Sequence, residues 1–143
     1  MCMMLYIGSN IPLPIIPFNE IAPAFYTESL SENDTTVAKH FSTNYVLYAR
    51  SSEGCGCGFQ HALIDHGPNW LDVVDEYDDD FQKNMQQLYE YVKVVIDNGG
   101  KVEIYACWDG EFEDAPLLKE NISYKELIND DFYLKEKGFY SIS

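Results

Sequence analysis

The sequence predicts a small single-domain α/β or α+β sandwich, a mixed sheet of four or five strands with one long helix and short helices packed on it. Three observations lead there. Residues 79–98 carry apolar side chains at three- and four-residue steps, the period of a helix with one buried face. Residues 1–8, 44–50 and 101–108 are short apolar runs rich in β-branched and aromatic residues, the composition of strands. The chain is 143 residues long, a size at which one domain spanning 1–143 buries roughly 70% of its unfolded surface. No internal repeat or change of composition divides it.

The first strand places Met1, Met3, Leu5 and Ile7 on one face and Cys2, Met4 and Tyr6 on the other. Both faces are apolar, which suits an inner strand. Gly8-Ser9-Asn10 ends it. Pro12, Pro14, Pro17 and Pro23 then make residues 11–25 an extended arm, because proline cannot donate to a ladder. Ile15, Ile16 and Phe18 anchor the arm on the core, and residues 25–30 add a short edge strand. Asn33 or Asp34 caps a short helix that runs to Phe41, with Val37, Ala38 and Phe41 at helical spacing. The strand 44–50 follows.

The long helix takes its stripe from Phe81, Met85, Leu88, Val92, Val95 and Ile96. Asp78, Asp79 and Asp80 sit at its positive N-terminal end, and Asn98-Gly99-Gly100 supplies a left-handed stop. In the strand 101–108, Val102, Ile104, Ala106 and Trp108 share one face, with Glu103, Tyr105 and Cys107 on the other. Asp109-Gly110 opens an acidic loop that runs to Pro116. Ser123 to Glu126 has the pattern of a capping box and starts a short helix. Residues 132–143 close the chain as a strand or a hairpin about Gly138.

Charge limits the partners. The net charge is −15, from 24 acidic and 9 basic residues, and Arg50 is the sole arginine. Phosphate backbones and anionic membranes are bound by clustered Lys and Arg, so nucleic acid and membrane are excluded as expected partners. A cation, a metal or a basic protein suits this field. Met1 to Ile7 is apolar, but it lacks a basic start and the length of a secretory signal. No stretch approaches a membrane span. Four cysteines without an export signal read as reduced thiols, metal ligands or redox groups, and the expected location is cytoplasmic.

The chemistry-bearing stretch is Ser51-Ser52-Glu53-Gly54-Cys55-Gly56-Cys57-Gly58-Phe59. Alternating glycine frees the backbone for tight bends and close approach. Cys55 and Cys57 can face one metal ion, with His61, His66 and Cys107 as further ligands, and zinc is the candidate cofactor. The spacing matches no standard zinc finger. A strained disulfide between Cys55 and Cys57 is a second chemistry, with Arg50 the obvious cation to lower a thiol pKa. Backbone N–H groups gathered on an anion are a third, without the lysine or spacing of a P-loop. Against these stands a plain structural role, two small residues packed in a tight loop. The acidic run Asp72, Asp75, Glu76, Asp78, Asp79 and Asp80 lacks the ordered spacing of a calcium loop and reads as a solvated helix start. His40 carries no expected role, and no catalytic triad stands out.

Helix-bearing connections between the three main strands predict that they run parallel, with their carboxyl ends on one edge of the sheet. That edge would gather Ser9 and Asn10, the Gly-Cys loop, and Cys107, Trp108 and Asp109, where open α/β sheets bind ligands. Whether the strand order brings Cys107 to the loop is not fixed by sequence.

Met1-Cys2-Met3-Met4-Leu5-Tyr6-Ile7, Ser51-x-x-Gly54-Cys55-Gly56-Cys57-Gly58-Phe59 and Tyr105-x-Cys107-Trp108-Asp109-Gly110 together resemble a group of uncharacterised bacterial proteins. The resemblance spans most of the chain and implies a bacterial cytosolic origin, with no activity to carry over. Two function classes follow from the residues. One is a thiol or metal site at the Gly-Cys-Gly-Cys-Gly loop. The alternative is a non-catalytic acidic protein, of inhibitor or immunity type, that binds a basic protein. No reaction, and no oligomeric state, is legible.

Overall fold

The computed structural model describes residues 3–21, 25–51, 56–59, 74–129 and 132–143. Its strands are β1 (Met3–Ser9), β2 (Tyr26–Ser29), β3 (Tyr45–Arg50), β4 (Val102–Trp108), β5 (Leu118–Ile122) and β6 (Gly138–Ile142). They form one mixed six-stranded sheet in the order β2-β3-β1-β4-β6-β5. The helix α1 spans Val74–Asp97, and short 3-10 turns occupy Thr35–His40, Gly56–Phe59 and Tyr124–Ile128. The expected sandwich is present, with more strands than the four or five anticipated.

Helix α1 covers one face of the sheet. Phe81, Met85, Leu88, Val92 and Val95 meet Leu5, Ile7, Ile104, Ala106 and Ile142 there, and each fully buried aliphatic side chain contributes roughly 1.5–3 kcal/mol. The helix stops where the sequence indicates. Gly99 takes φ 85°, its N–H donates to the Ile96 carbonyl, and the Gly100 N–H donates to that of Val95, a Schellman closure. Its start differs from the expected one. The helix begins at Val74, so Asp78, Asp79 and Asp80 fall in its second turn.

The other face carries no long helix among the described residues. Tyr6, Tyr48, Tyr105, Cys107 and Phe139 form a second core around Val37 of the Thr35–His40 turn, with Phe41 and Phe112 packed against it. The segment beginning at Asp34 is this 3-10 turn, and Asp34 makes no side-chain cap bond. Its carboxylate instead accepts from the Tyr6 hydroxyl at 3.2 Å and from the Ser31 hydroxyl at 2.9 Å.

The expectation of three parallel strands is corrected. β1 pairs antiparallel with both β3 and β4. The proline arm is the physical reason. It runs back beside α1 and β2, where the Ile16 carbonyl accepts from the Thr27 N–H at 3.1 Å. β2 thus points the same way as β1, and β3, paired antiparallel to β2, runs against both. Of the three strands expected to be parallel, only β3 and β4 run in the same direction, joined across β1 by α1. No helix among the described residues is long and apolar enough to cross a membrane.

Candidate functional site

The registers decide which candidates share an edge. Met3 pairs with Trp108, and Leu5 pairs with Ala49, so the ends of β3 and β4 lie beside the start of β1. Ser51, the Gly56–Phe59 turn, Cys107, Trp108 and Asp109 therefore gather at one edge. Ser9 pairs with Tyr45 and Val102, which puts Ser9 and Asn10 at the opposite edge, away from the expected site. β1 separates β3 from β4, so Cys107 does not come from a strand neighbouring the loop.

The Gly56–Phe59 turn packs on the helix side. Phe59 is buried among the α1 residues, and the Gly58 N–H donates to the buried Ser51 hydroxyl at 3.0 Å. A Cβ on Gly58 would lie 2.5 Å from Asn84 Nδ2 and 2.5 Å from Ser51 Oγ, so the close approach itself requires glycine. Cys57 belongs to this turn by its backbone. Cys55, His61 and His66 lie outside the described residues. Among the described residues, no group of three or more His, Cys, Asp or Glu is placed to hold a metal ion.

Cys107 belongs to the tyrosine face, on the other side of the sheet from that turn. It is 1% exposed. Burial first, and then the carboxylates of Glu111, Asp114, Asp109 and Glu136, push its thiol up to about 12. A thiol so held stays protonated at neutral pH and is a poor nucleophile or metal ligand. Arg50, the expected activating cation, is committed elsewhere. Its guanidinium contacts Glu28 at 2.6 Å and sits 4.4 Å from the centre of the Tyr48 ring.

The loop that follows β4 is where this edge carries exposed chemistry. Residues 109–117 turn back through bonds from the Glu111 N–H to the Trp108 carbonyl at 3.0 Å and from the Asp114 N–H to the Glu111 carbonyl at 2.9 Å. Side chains then pin it. Tyr105 donates to the Asp114 carbonyl at 2.8 Å, and His40 Nε2 lies 2.9 Å from the Phe112 carbonyl, which fixes that nitrogen as the donor. Lys137 reaches Glu111 at 2.9 Å and Asp114 at 3.1 Å, and the Leu117 N–H donates to the Lys137 carbonyl at 2.9 Å. Lys137 itself adopts φ 55°, a left-handed conformation that bulky residues rarely take.

These contacts shape the electrostatics. Partial desolvation pushes Glu111 upward, but hydrogen bonds from Lys137 and Glu136, with the Lys137 charge, bring it below its ordinary range. Glu136 is raised, first by its hydrogen bond with Glu111. Asp109 and Glu113 stay exposed, and Leu117 of the same loop is 80% exposed.

Sequence reasoning found the acidic loop but not its fixation. His40, Tyr105 and Lys137 are the residues that hold it. The readable signal was Phe112, an aromatic inside the run Asp109-Gly110-Glu111-Phe112-Glu113-Asp114, which a solvated loop has no need of. In comparison with known proteins, the chain matches no family model, no curated protein and no solved structure.

Proposed function

We propose that this chain is a non-catalytic, cytoplasmic acidic protein that binds a basic protein partner through its 109–117 loop. The observation that carries the reading is the pinned loop itself. Exposed carboxylates and an exposed leucine share one loop, on a backbone already fixed by hydrogen bonds to Tyr105, His40 and Lys137. A preformed surface spares the ordering cost of association. Complementary charge speeds encounter and selects the partner, and an apolar centre supplies contact area. The buried, protonated Cys107 weighs against a reactive centre at the same edge.

The test captures proteins from cell extract on three immobilised forms in parallel. One is the native chain, and one carries Asp109→Asn, Glu113→Gln and Leu117→Ser. The third carries the same loss of charge and apolar surface elsewhere, as Glu20→Gln, Glu126→Gln and Ile128→Ser. The reading expects basic proteins retained by the native chain and the third form and lost from the loop variant. Equal retention on the loop variant, or no enrichment of basic proteins, would contradict it.

The clamped Gly56–Phe59 turn favours a second reading, a thiol or zinc site formed by Cys55 and Cys57 with His61 or His66. Clamping at Ser51 fixes the backbone beside Cys57, a condition for a defined ligand geometry. Metal content and free thiols, measured on protein purified without a metal-affinity column, separate the two. About one zinc per chain, lost in Cys55→Ser with Cys57→Ser, supports the site. No metal and four inert thiols remove it.

A further inference from the structure

A second surface lies on the opposite, helix-covered side of the molecule. The proline arm is tied to α1 and β2 at several points. The Tyr91 hydroxyl donates to the Pro14 carbonyl at 2.7 Å, and the Phe25 N–H donates to Gln87 Oε1 at 3.2 Å. The Thr27 hydroxyl donates to the Pro14 carbonyl and accepts from the Ile16 N–H, both at 2.9 Å. Between the arm and the helix these bonds leave a cleft of about 360 Å³. That volume is within the range of natural ligand sites, at the small end.

The walls are apolar, formed by Pro14, Ile16, Phe25, Tyr91 and Val94, with Gln87 and Glu90 as the polar lining. The Phe25 and Tyr91 rings stand 5.4 Å apart, tilted by 53°, so the aromatic wall is packed and does not collapse into the space. Val94 is 53% exposed on a helix face where solvated residues are expected, and Ile15 beside the cleft is exposed as well. The polar atoms are largely committed. Tyr91 and Gln87 hold the arm, and the Glu90 carboxylate, the only charge on the lining among the described residues, meets the exposed Gln86 amide at 3.3 Å. An apolar cleft with one carboxylate and no lining cation among the described residues selects its occupant by charge. An anionic ligand is repelled, and so is a second copy of a chain carrying −15.

We infer that this cleft docks a short basic, apolar peptide segment of a partner protein. An aliphatic side chain enters between Phe25, Tyr91 and Val94, and a neighbouring lysine or arginine meets Glu90. The site is separate from the 109–117 loop and stands or falls independently of it.

Fluorescence anisotropy with three labelled hexapeptides tests the inference: alternating leucine and lysine, alternating serine and lysine, and alternating leucine and glutamate. The leucine–lysine peptide should bind the native chain, and the other two about tenfold more weakly or not at all. Val94→Ser and Glu90→Gln, both at exposed helix positions, should each weaken it about three- to tenfold. Glu126→Gln with Ile128→Ser, exposed and outside both the cleft lining and the loop, should leave it unchanged; because Val94 and Glu90 lie off the loop, failure of the loop reading and failure of the cleft remain distinguishable. Equal binding of the serine–lysine peptide, no binding of the leucine–lysine peptide, or native affinity in Val94→Ser would overturn the inference.

Discussion

The two faces of the sheet are closed by different physics. On the helix side, α1 lays an aliphatic stripe on Leu5, Ile7 and Ile104, and its backbone satisfies its own hydrogen bonds. On the other side, short turns and loops do the covering, and their backbone groups need outside partners. Buried polar side chains supply them. Glu103, only 4% exposed, accepts from the Ser42 N–H at 3.0 Å and its hydroxyl at 2.9 Å. Tyr6 donates to Asp34, and Tyr105 and His40 hold the acidic loop. One face is held by shape and the other by hydrogen bonds, and the proposed binding loop hangs from the second.

The comparison breaks first on the helix face. Leu88 is fully buried in the aliphatic core, so Leu88→Ala should cost about 2–5 kcal/mol through lost burial and the cavity left behind. Urea unfolding should show the lower midpoint with an unchanged slope. A cost below about 1 kcal/mol would mean that the helix face is not the principal core.

On the hydrogen-bonded face the deciding change is chemical. Glu103→Ala should cost about 0.5–1.5 kcal/mol by removing its hydrogen bonds to the exposed Ser42. Glu103→Gln keeps one acceptor oxygen and should cost distinctly less. Equal costs, read from the same unfolding curves, would assign Glu103 to packing and remove the contrast between the faces.

A smaller effect follows from pH. Burial raises Cys107 from its ordinary 9.0 to about 12, so the folded state keeps a proton that the unfolded chain releases. The stability linked to that proton is full below pH 9 and falls as pH rises towards 12, by at most about 1.4 kcal/mol per pH unit. Cys107→Ala removes this contribution, and the gap between native and variant stability should therefore narrow between about pH 8 and about pH 10. A gap that stays constant would place the thiol in contact with water.

The same contrast explains what could be read beforehand. The α1 stripe, the inner strand β1 and the alternation in β4 are legible because burial against a regular partner imposes a period. β5 was not anticipated. Its Leu118-Lys119-Glu120-Asn121-Ile122 is mostly polar, and it is a strand because β6 offers a parallel partner, a tertiary cause that overrides local preference. The direction of β1 relative to β3 failed to read for a related reason, since a proline arm returns the chain without any periodic signal. Cys107, Trp108 and Asp109 share a sheet edge with Ser51 and the Gly56–Phe59 turn, as expected, while Ser9 and Asn10 lie at the opposite edge. The left-handed turn at Lys137, whose ammonium bridges Glu111 and Asp114, had no local signature at all.

The claim that the acidic loop is a preformed surface can be tested by amide hydrogen exchange on the native chain. The Glu111, Asp114 and Leu117 amides donate to backbone carbonyls, so they should exchange well below unprotected rates, and Tyr105→Phe should speed Asp114 in particular by loosening its anchored carbonyl. Exchange of all three at unprotected rates in the native chain would show a solvated tail in place of a fixed surface and contradict the account.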